Sequence, residues 1–434
     1  MSIFDAVARR SGVAGFTQAR IRAELASPVK TLDGIYRELA SAGLNVNAES
    51  LKQLELQCEL DQSFPITENV AKMLPSDIII SDMYLPREFL EKLLKKNGIT
   101  KYSDILVSYD GKYSGRVWKE LKAKPGLHTG DNYYADCETA QAAGIKASHY
   151  VDRPSFSEGL LHQSHRELAN FVRVLRQQNP GGPHSSLWHE QATINVPVLV
   201  LASAHLLRKY GDRRYLFATR EALNLRDIFT AMYPSADSHT YYTSRKCLTE
   251  LDPEFVEYAR HMFYNNAVVV DSHGSGTTSD YFYRAIGQRP DTFFIVGYAA
   301  SKYPKYDALI KRKVGGWAEI EDMNQDVTGS VTSVKNGVPS FDEPKYDAKV
   351  VAIQKECVRV AADLIRRGFP LSIPTVDLSG VVRDLLHQLR KHKCAIHGHG
   401  IPHINDLPLT SERWEELERK LTDAKTPKAI LVGW

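Results

Sequence analysis

The stretch 268–278 constrains the fold of this chain more than any other. It begins with three consecutive valines bounded by turn-forming residues, a pattern that predicts a short buried strand. The small residues of 272–276 follow, and they allow backbone N–H groups to face one concavity. Thr277 and Thr278 then open a predicted helix that continues through 279–284. A loop that ends at a helix N-terminus favours an anion, usually a phosphate.

The length of 434 residues predicts two domains, and the composition is that of an ordinary globular protein. A net charge of +3 is too small to indicate nucleic acid as a partner. The longest apolar-rich stretch, 196–207, is too short to span a bilayer, and the N-terminus has no apolar signal core. We interpret 196–207 as a buried helix.

The cysteines are few and far apart in the sequence, with no Cys-x-x-Cys pair: Cys58, Cys137, Cys247, Cys357 and Cys394. An odd, scattered set favours reduced thiols over a disulfide framework. We therefore expect a cytoplasmic protein, with the inner face of the plasma membrane as a further location.

Residues 1–153 form the first predicted domain. Residues 1–74 have a mostly helical pattern, and an alternation of strands and helices begins at Asp77. The predicted strands are 78–82, taken as buried, and 105–107. The predicted helices are 86–97 and 114–122, and a short helix after Asp136 ends at Gly144. This alternation predicts a parallel sheet with covering helices.

Three short motifs follow one another in this domain. Ser81 follows an apolar strand, Lys112 lies in a Gly-Lys-Tyr-Ser-Gly turn, and Asp131 and Asp136 follow Gly130. The domain resembles the haloacid dehalogenase-like phosphatases, in particular those encoded among polysaccharide-biosynthesis genes. The resemblance implies a phosphate-binding Ser81, a matching Lys112, a metal-binding pair Asp131 and Asp136, and a cap formed by 1–74.

The nucleophile motif of that family, Asp-x-Asp after an early strand, has no match here. Asp5 is the only early candidate for this motif, and it lies on a helical pattern without a second aspartate two residues later. An aspartyl-phosphate needs a carboxylate nucleophile. We therefore expect a catalytically silent scaffold, the alternatives being a start codon placed too late or an unusual nucleophile.

Residues 154–186 are predicted to be a helix and linker, and 187–434 a second α/β domain. Its predicted strands are 214–218, 239–242, 268–270 and 292–296. Ligands in such sheets bind beyond the carboxyl ends of the strands. Three of these ends carry suitable side chains, namely Thr219-Arg220-Glu221, Thr243-Ser244-Arg245-Lys246 and 271–278. The arginines could hold phosphate oxygens through paired hydrogen bonds.

The stretch 268–278 resembles the phosphoribosyltransferase signature. In that family an apolar strand and acidic residues precede a Thr/Ser-Gly-x-Thr loop that binds the 5-phosphate of phosphoribosyl pyrophosphate (PRPP). Ser275-Gly276-Thr277-Thr278 matches the loop and Asp271 the second acid, whereas Val270 replaces the first acid, and His273 and Gly274 also depart from the pattern. By position, Thr219-Arg220-Glu221 would be the pyrophosphate loop.

The two resemblances together are those of enzymes that build ribofuranose into bacterial capsules and O-antigens. They imply a pentosyltransferase that moves 5-phosphoribose from PRPP to a sugar acceptor carried on a lipid, with Mg²⁺ on the diphosphate. A separate phosphatase would then remove the phosphate. The rival hypotheses are a phosphosugar phosphatase, a nucleobase phosphoribosyltransferase and a non-enzymatic scaffold. Homo-oligomer formation stays open.

The predicted site residues fall into three groups. The catalytic residues are Asp271, Arg220, Glu221 and Arg245. The residues predicted to bind PRPP are Thr219, Ser272, His273, Gly274, Ser275, Gly276, Thr277 and Thr278. Glu319 and Glu321 are assigned to the acceptor side, and Asp271, Glu221 and Glu321 are the alternatives for the general base. The metal ligands are unassigned.

The C-terminal part contains a group of histidines near Cys394, namely His397, His399 and His403. No zinc spacing appears there, so we expect an irregular loop. Amphipathic helices are predicted at 350–367, 378–389 and 411–421.

Overall fold

In a computed structural model the chain is mixed α/β and contains a five-stranded parallel sheet. The structure describes residues 3–391 apart from 42–46, 122, 265, 299–302, 313–318, 345–346 and 375–377. The chain divides into two compact units, unit 1 (1–155) and unit 2 (156–434). The C-terminal histidines, Cys394 and the predicted helix 411–421 lie outside the described residues.

Unit 1 begins with a helical region, as its apolar spacing predicts. Its helices are α1 (Ile3–Ser11), α2 (Phe16–Ala26), α3 (Leu32–Ser41), α4 (Ala48–Gln62), α5 (Thr67–Ala71), α6 (Arg87–Lys96), α7 (Arg116–Glu120) and α8 (Thr139–Ala142). A π-helical turn, Tyr133–Glu138, precedes α8. Apolar side chains of the first four helices and α6 form one core, in which Val7, Phe16 and Ile35 are fully buried.

The strands of unit 1 pair in parallel. They are β1 (Ile78–Ser81), β2 (Asp104–Val107), β3 (His128–Gly130) and β4 (Ala147–His149), with β1 beside β2 and β3 beside β4. The prediction that β1 is buried is wrong, because Ile78 is exposed and the other three residues are half-buried. The apolar side chains of β1 are covered only in part, by neighbours such as Trp118, and the strand is not enclosed on both faces.

Unit 2 is built from longer helices around its sheet. Its helices are α9 (Phe156–His162), α10 (Arg166–Gln177), α11 (Ser185–Glu190), α12 (Val196–Tyr210), α13 (Leu223–Met232), α14 (Arg245–Glu250), α15 (Pro253–Met262), α16 (Thr277–Ile286), α17 (Glu319–Asp322), α18 (Ala348–Arg366) and α19 (Leu378–Lys391). A π-helical turn, Gln191–Asn195, precedes α12. The prediction of a buried helix at 196–207 is confirmed.

The strands of unit 2 are β5 (Tyr215–Ala218), β6 (Ser238–Tyr241), β7 (Val268–Gly274), β8 (Asp291–Tyr298), β9 (Tyr306–Arg312), β10 (Val331–Lys335) and β11 (Val338–Phe341). The parallel sheet has the order β6-β5-β7-β8-β9, and β10 with β11 forms a separate antiparallel pair. The strand β9 and this pair were not predicted from the sequence.

Helices cover both faces of the parallel sheet. Side chains alternate between the faces of a strand, so Leu216 and Val269 pack against a cluster that includes Phe255 of α15 and Phe282 of α16. On the opposite face, Tyr215 contacts Phe229 of α13, with ring centroids 4.7 Å apart. Burial on both faces explains why these strands are continuous apolar runs.

Strand β7 is longer than predicted. It continues from Val270 through Gly274, whereas the sequence predicted a loop from Asp271 onward. The neighbouring strand β8 pairs with β7 as far as Gly274, but β5 pairs with it only as far as Val270. Residues 271–274 include aspartate and glycine, which have low strand propensity. Backbone pairing with β8 holds them in a strand nevertheless. The last four residues of β7 are left beside the space beyond β5.

None of the helices within the described ranges is both long and apolar enough to cross a membrane. Cys58, Cys137, Cys247 and Cys357 are free thiols, and all four are buried.

Candidate functional site

A cavity of about 280 Å³ lies beyond the carboxyl ends of β5, β6, β7 and β8. This is the position at which open parallel sheets bind ligands. Its walls come from three successive strand-to-helix connections and from α17. The lining residues are Ala218, Thr219, Arg220, Glu221, Thr243, Ser244, Arg245, Leu248, Asp271, His273, Gly274, Ser275, Gly276, Thr277, Thr278, Ser279, Phe294, Tyr298 and Glu321.

The glycine loop, residues 274–278, forms one end of the cavity and leads into α16. Gly276 precedes the helix with φ of 76°, a conformation that favours glycine. A Cβ at this position would lie 2.2 Å from Tyr306 Cε1, so the loop needs glycine for space as well. Ser275 Oγ lies 2.8 Å from Thr277 Oγ1 and accepts a hydrogen bond from Thr277 N–H. The first turn of α16 lines the cavity. N–H groups in the first turn of a helix have no acceptors within the helix.

The turn 219–221 joins β5 to α13 and forms a second wall. The Thr219–Arg220 peptide is cis. Thr219 Oγ1 donates to the Thr243 carbonyl at 2.9 Å and accepts from Thr243 N–H at 3.0 Å, so it joins this turn to the end of β6. Arg220 Nη2 lies 3.3 Å from Glu221 Oε1. The turn thus brings a guanidinium and a carboxylate to the cavity.

The connection after β6 brings a second arginine. Ser244 is the N-cap of α14, and its Oγ accepts from Cys247 N–H and donates to the Val331 carbonyl at 2.6 Å. Arg245, the first residue of that helix, lines the cavity and is exposed. Lys246 is absent from the lining, although the sequence placed it beside Arg245.

Three carboxylates share the other end of the cavity. Burial, together with the negative charge of Glu221 nearby, raises the pKa of Asp271 to about 7. Burial also raises the pKa of Glu221; the positive charge of Arg220 opposes this shift and the charge of Glu321 adds to it. Ser272 N–H donates to Asp271 Oδ1 at 2.8 Å. Ionising Asp271 and Glu221 is costly because each is buried and lies near other carboxylates, and a cationic ligand group would lower that cost.

His273 and Glu321 form a pair at the edge of this acidic end. His273 Nδ1 lies 3.1 Å from Glu321 Oε1, and the side chains are 8% and 31% exposed. The imidazole also contacts Tyr298, with ring centroids 5.1 Å apart. The pairing is consistent with a His273 tautomer that donates from Nδ1 to the carboxylate.

The cavity brings together most of the predicted site residues. It collects the catalytic group, Glu321 and seven of the eight residues predicted to bind PRPP. Ser272 does not line it: the side chain is buried, and alternation along β7 turns it away from Asp271. Glu319 begins α17, and its side chain lies outside the described residues.

The sequence did not single out Ser279 or Tyr298 as site residues. Tyr298 ends β8, so the rule that ligands bind at the carboxyl ends of strands could have found it. Ser279 lies one residue beyond the predicted loop, in the first turn of α16.

Two of the motif residues of unit 1, Lys112 and Asp136, belong to a closed cluster. Asp136 is 1% exposed; Oδ1 lies 2.7 Å from Lys112 Nζ and 2.9 Å from His128 Nε2, and Oδ2 accepts from Asn132 N–H. These three donors, against the effect of burial, hold the pKa of Asp136 well below its usual range. A Cβ on Gly130 would lie 2.2 Å from Asp136 Cγ, so the aspartate side chain occupies the space that a larger residue at position 130 would need.

The other two motif residues of unit 1 are not part of that cluster. Ser81 Oγ accepts from Met83 N–H at 3.3 Å, and Asp131 is exposed. The Lys112 N–H instead donates to Asp82, which also accepts from Tyr113 N–H. The structure therefore links Lys112 and Asp136 but leaves Ser81 and Asp131 outside their hydrogen-bond network.

Within the described part of the chain, no group of three or more His, Cys, Asp or Glu side chains is arranged to hold a metal ion. Comparison of the sequence with protein-family models gave no match, and comparison with curated proteins gave none either. Inferences about function therefore depend on the geometry of the cavity and on the motifs that line it.

Proposed function

We propose that this protein is a PRPP-dependent glycosyltransferase that transfers 5-phosphoribofuranosyl to a sugar acceptor and releases pyrophosphate. The observation that carries the proposal is the cavity itself. A glycine loop at a helix N-terminus, two arginines and an aspartate come from separate stretches of sequence and line one space. PRPP carries a phosphate and a diphosphate, with the ribose hydroxyls between them. The glycine loop, the arginines and the aspartate could bind the phosphate, the diphosphate and the hydroxyls, respectively.

In this proposal the 5-phosphate binds the glycine loop and the first turn of α16, because N–H groups at a helix N-terminus favour an anion. The ribose hydroxyls lie near Asp271. The diphosphate enters with Mg²⁺ as part of the substrate and lies against Arg220, with Arg245 as a second donor. Departure of pyrophosphate leaves negative charge on the leaving group, which the guanidinium and the magnesium stabilise.

Unit 1 is proposed to be a silent scaffold resembling the haloacid dehalogenase-like phosphatases. The support is that Asp136 already accepts from Lys112, His128 and Asn132. Metal binding at Asp136 would have to displace these donors. The proposed place of action is the cytoplasm, where a separate phosphatase would act on the product.

The test is calorimetric titration of the full chain with PRPP in Mg²⁺, followed by measurement of pyrophosphate release with a panel of synthetic and lipid-linked glycan acceptors. We expect PRPP binding and acceptor-dependent release. Ribose 5-phosphate and pyrophosphate, titrated separately, should each bind more weakly than PRPP. Absence of PRPP binding together with absence of acceptor-dependent release would overturn the proposal.

The same assay separates the rivals. Pyrophosphate release driven by a free purine or pyrimidine would identify a nucleobase phosphoribosyltransferase. Phosphate release from phosphosugars that disappears with Asp131→Asn would identify a phosphatase. Exposed Asp131 has no place in the proposed reaction, so this variant should transfer phosphoribose like the wild type.

A further inference from the structure

The short helix α17 lies against β7 and carries Glu321 to the cavity, and its neighbours in sequence point away from that space. Ile320 and Met323 are each 1% exposed, whereas the Glu321 side chain is 31% exposed. Glu321 is therefore the member of the acidic group at the open edge of the cavity. Glu221 differs from it in being paired with Arg220, and Asp271 differs in lying on the strand β7.

A helix of one turn has few internal donors for its carbonyl groups, and buried side-chain amides supply them in α17 and at Met323, which follows it. Asn324 Nδ2 donates to the Ile320 carbonyl at 2.8 Å. Gln354 Nε2, from α18, donates to the Asp322 carbonyl at 2.8 Å. Gln191 Nε2 donates to the Met323 carbonyl at 2.9 Å. The backbone on both sides of Glu321 is thus held from the core.

Asn324 is the centre of this network and is fully buried. It exchanges two hydrogen bonds with Asn195, each of 2.9 Å, and its Oδ1 also accepts from Asn224 at 3.2 Å. Both polar atoms of the Asn324 carboxamide have partners, and a buried polar group whose hydrogen bonds are satisfied is held in one geometry. Apolar side chains would fill the same space, but they would leave the carbonyls of α17 without donors.

We propose that Glu321, paired with His273, takes the proton from the acceptor hydroxyl, and that Asn324 is the positioning residue that holds it there. This inference rests on the proposed function. The acceptor oxygen forms a bond to the anomeric carbon as the bond from that carbon to the diphosphate breaks. The bonding pair leaves with pyrophosphate, and the hydroxyl proton passes to the Glu321 carboxylate. His273 donates to the same carboxylate and orients it.

The experiment compares two nucleophiles with PRPP and Mg²⁺ in the full chain. Water must lose a proton as it attacks, whereas azide attacks as an anion and needs no base. For Glu321→Gln we expect hydrolysis of PRPP to fall about 100-fold, the size of a general-base effect. Azide transfer and the Kd for PRPP should stay within about threefold of the wild type, because the donor site is intact. Glu257→Gln, an exposed glutamate of α15, is the control.

Asn324 is tested with the double variant Asn195→Leu/Asn324→Leu. This variant leaves the Ile320 carbonyl and Asn224 Nδ2 without partners, so its melting temperature is measured first and the rates are compared at a temperature at which it is folded. We expect the kcat of hydrolysis to fall about tenfold while azide transfer and PRPP binding are kept. Asn179→Ala, which removes a half-buried amide that bonds Ser185 outside the cavity, should have no effect on either reaction.

The outcomes separate the two proposals. If wild-type protein does not bind PRPP, the proposed function is overturned and this inference with it. If wild-type protein binds PRPP and releases pyrophosphate, but Glu321→Gln hydrolyses PRPP equally fast, this inference alone is overturned. A Glu321→Gln variant that loses azide transfer as strongly as hydrolysis also contradicts it, since the glutamate would then act on the donor.

Discussion

Units 1 and 2 each place an aspartate near the carboxyl end of a parallel strand, and the surroundings of the two carboxylates are opposite. Asp136 follows β3 and accepts from a lysine, a histidine and a backbone N–H. Asp271 ends the apolar part of β7 and faces two other carboxylates. The pKa of Asp136 is lowered, whereas that of Asp271 is raised to about 7.

The difference separates a carboxylate whose partners stabilise its charge from one whose surroundings oppose its charge. A carboxylate with cationic partners strengthens the fold, while one crowded by acids weakens it until a ligand supplies positive charge or hydrogen-bond donors. Strongly perturbed acids of the second kind are typical of functional sites. Four predictions can break or sharpen this comparison.

The largest effect should come from removing a cation in each unit. Arg220→Met should lower kcat/KM for pyrophosphate release about 100- to 1000-fold, because the leaving group loses a preorganised donor. Lys112→Met in unit 1 should leave this rate unchanged. Steady-state kinetics of both variants checks the prediction. A similar loss of rate in both would mean that unit 1 takes part in the reaction.

Asp136→Asn should destabilise unit 1 by about 3 kcal/mol, because Lys112 and His128 both contact the negative charge that the substitution removes. The lowered pKa of Asp136 gives stability that is present above the unfolded value and is lost as the pH falls through the folded value. Hydrogen exchange of unit 1 peptides should therefore increase in the variant at pH 7, with a smaller difference from wild type in strong acid. Unchanged exchange at pH 7 would contradict the prediction.

Two glycines with positive φ that begin helices provide a matched pair. A Cβ on Gly276 would lie 2.2 Å from Tyr306, whereas one on Gly115, before α7, would meet its nearest atom, on Thr139, at 4.0 Å. We expect Gly276→Ala to destabilise unit 2 by about 2–3 kcal/mol and Gly115→Ala to destabilise unit 1 by about 1 kcal/mol. Calorimetry checks both, and equal effects would show that backbone conformation alone sets the cost.

Asp271→Asn should have the opposite sign from Asp136→Asn. Because the pKa of Asp271 is raised in the folded state, its contribution to stability is fully present below the unfolded pKa of about 4. This contribution is lost as the pH rises through the folded pKa of about 7. The variant should thus gain stability over wild type at pH 8 and gain little at pH 5. Each kcal/mol corresponds to about 2–4 °C in Tm for a unit of this size. A Tm gain that does not change with pH would contradict the assignment.

The sequence predicted the ends of β2 and β5 correctly and that of β6 to within one residue, because apolar runs and their flanking turns are local. The lining of the cavity follows from this, since parallel strands end at the same edge of the sheet. The length of β7 was not predictable in the same way. Its last four residues form a strand only because β8 supplies the backbone partners.

Contacts between distant residues account for the other missed features. Asn195 and Asn324 are 129 positions apart, and no spacing in the sequence indicates that their amides pair. The exposure of Ile78 was missed because an apolar run does not show how many faces of a strand are covered.

The extension of β7 past its neighbour β5 has a consequence for which molecules the cavity can accept. Asp271 and Gly274 lie on one continuous strand, so the separation between the acid and the glycine loop is fixed at about 3.3 Å per residue, or roughly 10 Å in all. Hydrogen bonds to β8 keep this length from changing. In the proposed function, this fixed separation would select a sugar phosphate by the distance from its phosphate to its hydroxyls.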